Sequence, residues 1–122
     1  MAHPSYMLIF ALLISVFGAG WCLCDLSSIK VTQNGTGDFV QSRPEYEVTV
    51  SNDCVCSQER VRFESAGFQS VEAVDPKIFR RDGQSFLLND GRPFSGFDTI
   101  TFNYAWETQF AISPVQSQIA CS

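Results

Sequence analysis

Residues 45–51 read Glu45-Tyr46-Glu47-Val48-Thr49-Val50-Ser51, with Tyr46, Val48 and Val50 alternating against Glu47, Thr49 and Ser51. Successive side chains of a strand point to opposite faces, so this run describes a half-buried antiparallel strand. The same period returns in Thr99-Ile100-Thr101-Phe102-Asn103-Tyr104, where Ile100, Phe102 and Tyr104 form the apolar set. Shorter strand signals occur at Ile29–Val31, Arg60–Glu64, Ser85–Leu88 and Gln109–Ile112. Turn chemistry separates them: Asn34-Gly35-Thr36-Gly37, Arg43-Pro44, Ser65-Ala66-Gly67, Arg81-Asp82-Gly83 and Asn89-Asp90-Gly91-Arg92-Pro93. A helical period lasts at most one turn, over Pro76–Arg80, with Asp75 as N-cap and Pro76 in the first position. Short strands with frequent turns predict an all-β domain, a small antiparallel β-sandwich or flattened barrel of about 6–8 strands.

Upstream of these strands the character changes. Leu8 to Phe17 is an almost unbroken apolar run, followed by Gly18-Ala19-Gly20, and no Asp, Glu, Lys or Arg precedes Asp25. Residues 1–20 therefore read as a cleaved secretory signal peptide, with processing after Gly20 or, as a second option, after Cys22. The run is shorter than the span of about 20 apolar residues that a membrane anchor needs. Residues 21–122 are then a single secreted β domain of about 100 residues, near the size where covalent staples help.

Charge and composition narrow the chemistry. The 122 residues carry thirteen acidic against eight basic side chains, a net charge of −5. A nucleic-acid or anionic-membrane partner calls for the opposite balance. The single histidine, His3, leaves with the signal. The secreted domain then has no imidazole for a Ser-His-Asp or Cys-His site or for a His-based metal centre. Nucleotide loops and nucleophile elbows are also missing from the sequence. Two-carboxylate hydrolysis stays chemically open, but no acid stands in a motif that marks a general acid. The expectation is a non-enzyme with no catalytic residue, no metal and no cofactor.

Five cysteines, Cys22, Cys24, Cys54, Cys56 and Cys121, point to an oxidising compartment. Cys22 lies at the cleavage region, which leaves an even four. A Cys54–Cys56 bond would close a strained ring across one residue. The expectation is two bridges that join Cys24 and Cys121 separately to Cys54 and Cys56, in either of two pairings.

The order of short motifs along the chain is familiar. Cys24 precedes Ile29-Lys30-Val31-Thr32-Gln33 and Thr36-Gly37; Pro44 to Cys56 follows, then Gly67-Phe68-Gln69-Ser70 and Val74-Asp75-Pro76. Phe79-Arg80-Arg81, Leu87 to Pro93, Phe102-Asn103-Tyr104-Ala105-Trp106 and Cys121 complete the series. In this the chain resembles the plant TAPETUM DETERMINANT family of small secreted cysteine-rich proteins. The family pattern has six cysteines, and this sequence carries Ser65 and Phe86 where two of them are expected. Their joint loss suggests one missing bridge and positions 65 and 86 side by side. The resemblance implies an extracellular (apoplastic) ligand of a leucine-rich-repeat receptor kinase ectodomain, of the kind that sets cell fate in the anther.

Several residues stand out for binding. Arg80, Arg81 and Arg92 are cations in turn-rich sequence, suited to an acidic partner patch. Asn34-Gly35-Thr36 is an N-glycosylation acceptor on an expected turn. Trp106, Tyr104 and Phe97 would form a sugar-stacking face if exposed together, and a cell-wall carbohydrate-binding module is the alternative function.

Overall fold

A computed structural model describes residues 24–121. The expected signal peptide, residues 1–20, and both proposed cleavage points lie outside the described residues. Among the described residues seven strands run in chain order: β1 (Ile29–Val40), β2 (Arg43–Asn52), β3 (Ser57–Glu64), β4 (Phe79–Asp82), β5 (Ser85–Leu88), β6 (Thr99–Ala105) and β7 (Ser113–Ala120). They form two antiparallel sheets, β1-β2-β6 and β4-β5-β3-β7. The all-β fold is thus as the alternation predicts, and its two disulfides are as the cysteine count predicts.

The core lies between the sheets. Val48 and Val50 of β2, and Phe102 and Tyr104 of β6, meet Val61 and Phe63 of β3, Phe79 of β4, and Phe86 and Leu88 of β5. Phe68, from the long β3–β4 connection, is the plug. Its ring centroid lies 5.4 Å from Phe79, 5.3 Å from Phe86 and 5.1 Å from Tyr104, each edge to face. These are favourable aromatic geometries, and the concentration of phenylalanine in this sequence is largely a core property. The same connection covers the free edge of β6. The Val71 amide donates to the Ala105 carbonyl at 3.0 Å, and the Ala105 amide donates to Ser70 Oγ at 3.0 Å.

The structure corrects several local expectations. Asn34–Gly37 is inside β1, not a turn; the irregularity between Gly35 and Phe39 absorbs it, with Gly37 at φ 88. The hairpin instead reverses at Gln41 and Ser42, whose φ values of 49 and 67 match a tight two-residue turn. Arg43-Pro44 opens β2, and Pro44 pairs with Phe39. The expected strand at Gln109–Ile112 is irregular, and the strand is β7, a few residues later. Arg80 and Arg81 lie in β4, at the sheet edge, and the reversal follows at Asp82–Ser85 with Gly83 at φ 69. Pro76–Ile78 is a single turn, with the Lys77 amide donating to Asp75 Oδ1 at 2.9 Å as the capping pattern predicts, while Phe79 and Arg80, expected in the same turn, belong to β4.

Positions 65 and 86 are not register partners. Phe86 stands opposite Phe63, two residues before Ser65. Both side chains are buried. The Phe86 ring stacks on Phe79 with centroids 4.9 Å apart and fills the space beside Phe68.

Candidate functional site

Two disulfides gather one end of the sandwich. Cys24 joins Cys54 (Cα–Cα 5.7 Å) and Cys56 joins Cys121 (Cα–Cα 4.8 Å). Of the two open pairings this is the one formed. Each bridge ties a terminal segment to the β2–β3 connection. The sulfurs of Cys24, Cys54 and Cys56 lie within 4.8 Å of one another, but all are committed to disulfides and offer no thiolate to a metal.

Beneath the bridges lies a buried polar pair that sequence reading did not single out. Asn52 Nδ2 donates to the carbonyls of Cys56 (2.8 Å), Phe94 (3.1 Å) and Ser95 (3.3 Å). Gln58 Nε2 donates to Asn52 Oδ1 at 3.2 Å, and Gln58 Oε1 accepts from Ser117 Oγ at 2.7 Å. The backbones of Gln58 and Phe94 also exchange two hydrogen bonds, at 3.0 and 2.7 Å. Asn52 thereby fixes the 94–98 loop against the disulfide loop.

The two loops each present one apolar side chain, Val55 and Phe97. The Phe97 amide donates to the carbonyls of Asn52 (2.8 Å) and Cys54 (3.2 Å), and the Asn52 amide donates to the Asp98 carbonyl at 3.1 Å. Gly96 lies so close to the disulfide loop that a Cβ there would sit 2.3 Å from the Val55 carbonyl oxygen. Val55 and Phe97 are 72% and 71% exposed.

The three arginines do not form one free cationic surface. Arg80 is paired with Asp90, and the pairing holds the Asp90 carboxyl below its ordinary range, chiefly through the hydrogen bond from the guanidinium. Arg81 lies over the Phe86 ring at 4.8 Å from its centroid. Arg92 is exposed, with Nε donating to the Asn89 carbonyl at 3.3 Å. On the same sheet Arg62 pairs with Asp82 at 2.7 Å.

A carboxyl pair occupies the other sheet. Glu72, from the β3–β4 connection, has its Oε1 buried without a hydrogen-bond partner among the described residues. Burial first, then contact with Glu45 and its charge, push the Glu72 carboxyl up to about 7. Glu45 is held low by the hydrogen bond it receives from Glu72 and by Thr36, whose Oγ1 donates to Oε1 at 2.8 Å. Glu72 also lines a shallow depression with Glu47, Asp75, Ile78 and Thr101.

The aromatic trio is not brought together. Tyr104 is fully buried, with its hydroxyl donating to Gln33 Oε1 at 2.6 Å. Trp106 follows β6 at the hairpin end, under the Arg43 guanidinium at 5.1 Å, while Phe97 precedes the same strand at the disulfide end. Asn34 is exposed on β1, opposite Glu47 of β2.

Comparison with known proteins adds a lineage to this geometry. The family described as "Tapetum determinant 1, C-terminal" matches residues 25–122. TPD1 protein homolog 1 of Arabidopsis thaliana is 31% identical over 74% of this chain and 52% of its own length. TPD1 protein homolog 1A of Oryza sativa subsp. japonica is 35% identical over 70% of this chain and 42% of its own. The chain thus spans about half the length of these two relatives. An uncharacterised Arabidopsis thaliana protein is 30% identical over 99% of both chains. No solved structure matches.

Proposed function

Because the chain belongs to the Tapetum determinant 1 family, we propose that it is a secreted plant protein acting by binding rather than turnover, as a ligand for a leucine-rich-repeat receptor kinase ectodomain. Membership across residues 25–122 is the observation that carries this reading. Three features support it. The apolar leader sequence and the two disulfides suit an oxidising extracellular setting. The fold is a small rigid sandwich with its polar network spent on holding loops in place. The acidic balance fits a basic protein surface better than nucleic acid or lipid.

The test is direct. The full chain, expressed with its leader in plant cells, is collected from the medium and titrated against a panel of leucine-rich-repeat receptor kinase ectodomains. Saturable binding to one ectodomain is the expected result. Retention inside the cell, or secretion with no ectodomain bound, overturns the reading. Binding to insoluble cell-wall polysaccharide in place of an ectodomain would move it to the carbohydrate class.

A further inference from the structure

We propose that the Val55–Phe97 knuckle at the disulfide end is the contact that a protein partner grips, in an apolar pocket rimmed by basic side chains. The proposal rests on the ligand reading above and gives it a surface.

The first observation is the backbone of Phe97. Its φ of 60 lies in the left-handed region, which glycine enters freely and a residue with a Cβ enters at a cost. Among the described residues, six that are not glycine have positive φ: Gln41, Ser42, Arg60, Asn89, Asp90 and Phe97. Five are polar. Phe97 alone is apolar, and its ring is 71% exposed, so core burial does not offset the cost. Backbone held in such a conformation at an exposed aromatic points to a use outside the fold.

The second observation is rigidity. Phe97 is held by two backbone hydrogen bonds, the neighbouring Ser95 carbonyl by buried Asn52, and Val55 by the bridged cysteines on either side. Close approach at Gly96 locks the two loops against each other. An aromatic side chain presented on a preorganised loop loses little freedom on binding, which is the property of an interface anchor.

Charge gives the chemistry of the partner. Asp53 and Asp98 are exposed beside the knuckle. No Lys or Arg occurs in residues 50–58 or 94–99. An apolar anchor with an acidic rim is complementary to a hydrophobic pocket bordered by Lys or Arg.

The experiment measures the secreted full chain against the leucine-rich-repeat receptor kinase ectodomain panel by surface plasmon resonance. Phe97→Gly and Val55→Ser are each expected to weaken binding by about tenfold or more. Phe97→Gly removes the backbone cost, so its melting temperature is expected to equal or exceed that of the wild type. That result separates lost binding from lost folding. Asp53→Asn with Asp98→Asn is expected to slow association and flatten its salt dependence. Arg80→Ala with Arg81→Ala and Arg92→Ala is expected to bind within about threefold of wild type. Undiminished binding by folded Phe97→Gly overturns the knuckle and leaves the ligand reading standing. A wild-type protein that binds no ectodomain overturns both. A wild-type dimer that Phe97→Gly dissolves overturns the proposal by making a second copy the occupant.

Discussion

Gln58 Nε2 donates to Asn52 Oδ1 across 3.2 Å, and both side chains are fully buried. The two residues belong to strands of different sheets, β2 and β3. Their amides therefore stitch the sandwich at the end where the apolar core stops and the disulfides begin. Buried polar groups of this kind are stable only while their partners are in place.

Asn52→Ala removes three donor contacts and leaves the carbonyls of Cys56, Phe94 and Ser95 without their side-chain partner. The expected loss is about 3 kcal/mol, since unsatisfied buried groups cost more than the bonds they replace. Chemical denaturation of the oxidised protein measures it. An unfolding midpoint equal to wild type would show that the network carries no net stability.

Ser65→Ala should act in the opposite direction. Ser65 Oγ is buried without a hydrogen-bond partner among the described residues. Alanine removes the stranded hydroxyl with little change of volume, so a gain of about 0.5–1 kcal/mol is expected. A destabilised Ser65→Ala protein in the same denaturation assay would mean that the hydroxyl has a partner after all.

The ease with which each element could be read from sequence follows its exposure. β2 and β6 each bury one face and leave the other polar, so Val48, Val50, Phe102 and Tyr104 declare them directly. β7 is the reverse case: an edge strand on which Val115 and Ile119 stay exposed while Ser117 bonds to Gln58. Its pairing with β3 and its covalent tie through Cys121 place it, and neither leaves an alternation signal. Gln58 was hidden because the irregularity near Arg60 changes the parity of β3, so that residues 58, 61 and 63 all face inward. Asn52 was within reach, because it continues the inward parity of Val48 and Val50. The knuckle had no sequence signal, since the φ of Phe97 is imposed by contacts from residues more than forty positions away.

Glu72 makes stability depend on pH. Its folded pKa of about 7 lies above the ordinary carboxylate value of 4.5, so between these limits the native state binds the proton more tightly than the unfolded state. Stability therefore falls as pH rises from about 4.5 to about 7 and levels off above. Glu45 is shifted the other way, and its contribution is lost only on acidification below its unfolded pKa. Glu72→Gln keeps a donor toward Glu45 and removes the titration. Its melting temperature is expected to be flat from pH 5 to pH 8, approximately the span of the shift, where that of the wild type declines. Equal slopes for the two proteins would assign the pH dependence elsewhere.

The two disulfides should differ in what their loss costs. Cys24–Cys54 closes a loop with a sequence separation of 30, and Cys56–Cys121 one of 65. In the chain-entropy account these correspond to about 3.6 and about 4.3 kcal/mol of stabilisation, because a longer loop leaves the unreduced unfolded chain more restricted. Each bridge also anchors a different structure. Cys24–Cys54 holds the Asp25–Ser28 segment, whose Ser28 carbonyl accepts from the Asp53 amide at 2.9 Å, while Cys56–Cys121 holds the end of β7 against β3. Cys56→Ser with Cys121→Ser is therefore expected to lower stability more than Cys24→Ser with Cys54→Ser, by roughly 0.7 kcal/mol. It should also raise amide exchange along β7 more than along β1. Urea unfolding of the two double variants, with exchange measured strand by strand, checks both statements. The reverse order of stability would mean that the loops at the short bridge, and not closure of the longer chain, govern how this end of the fold holds together.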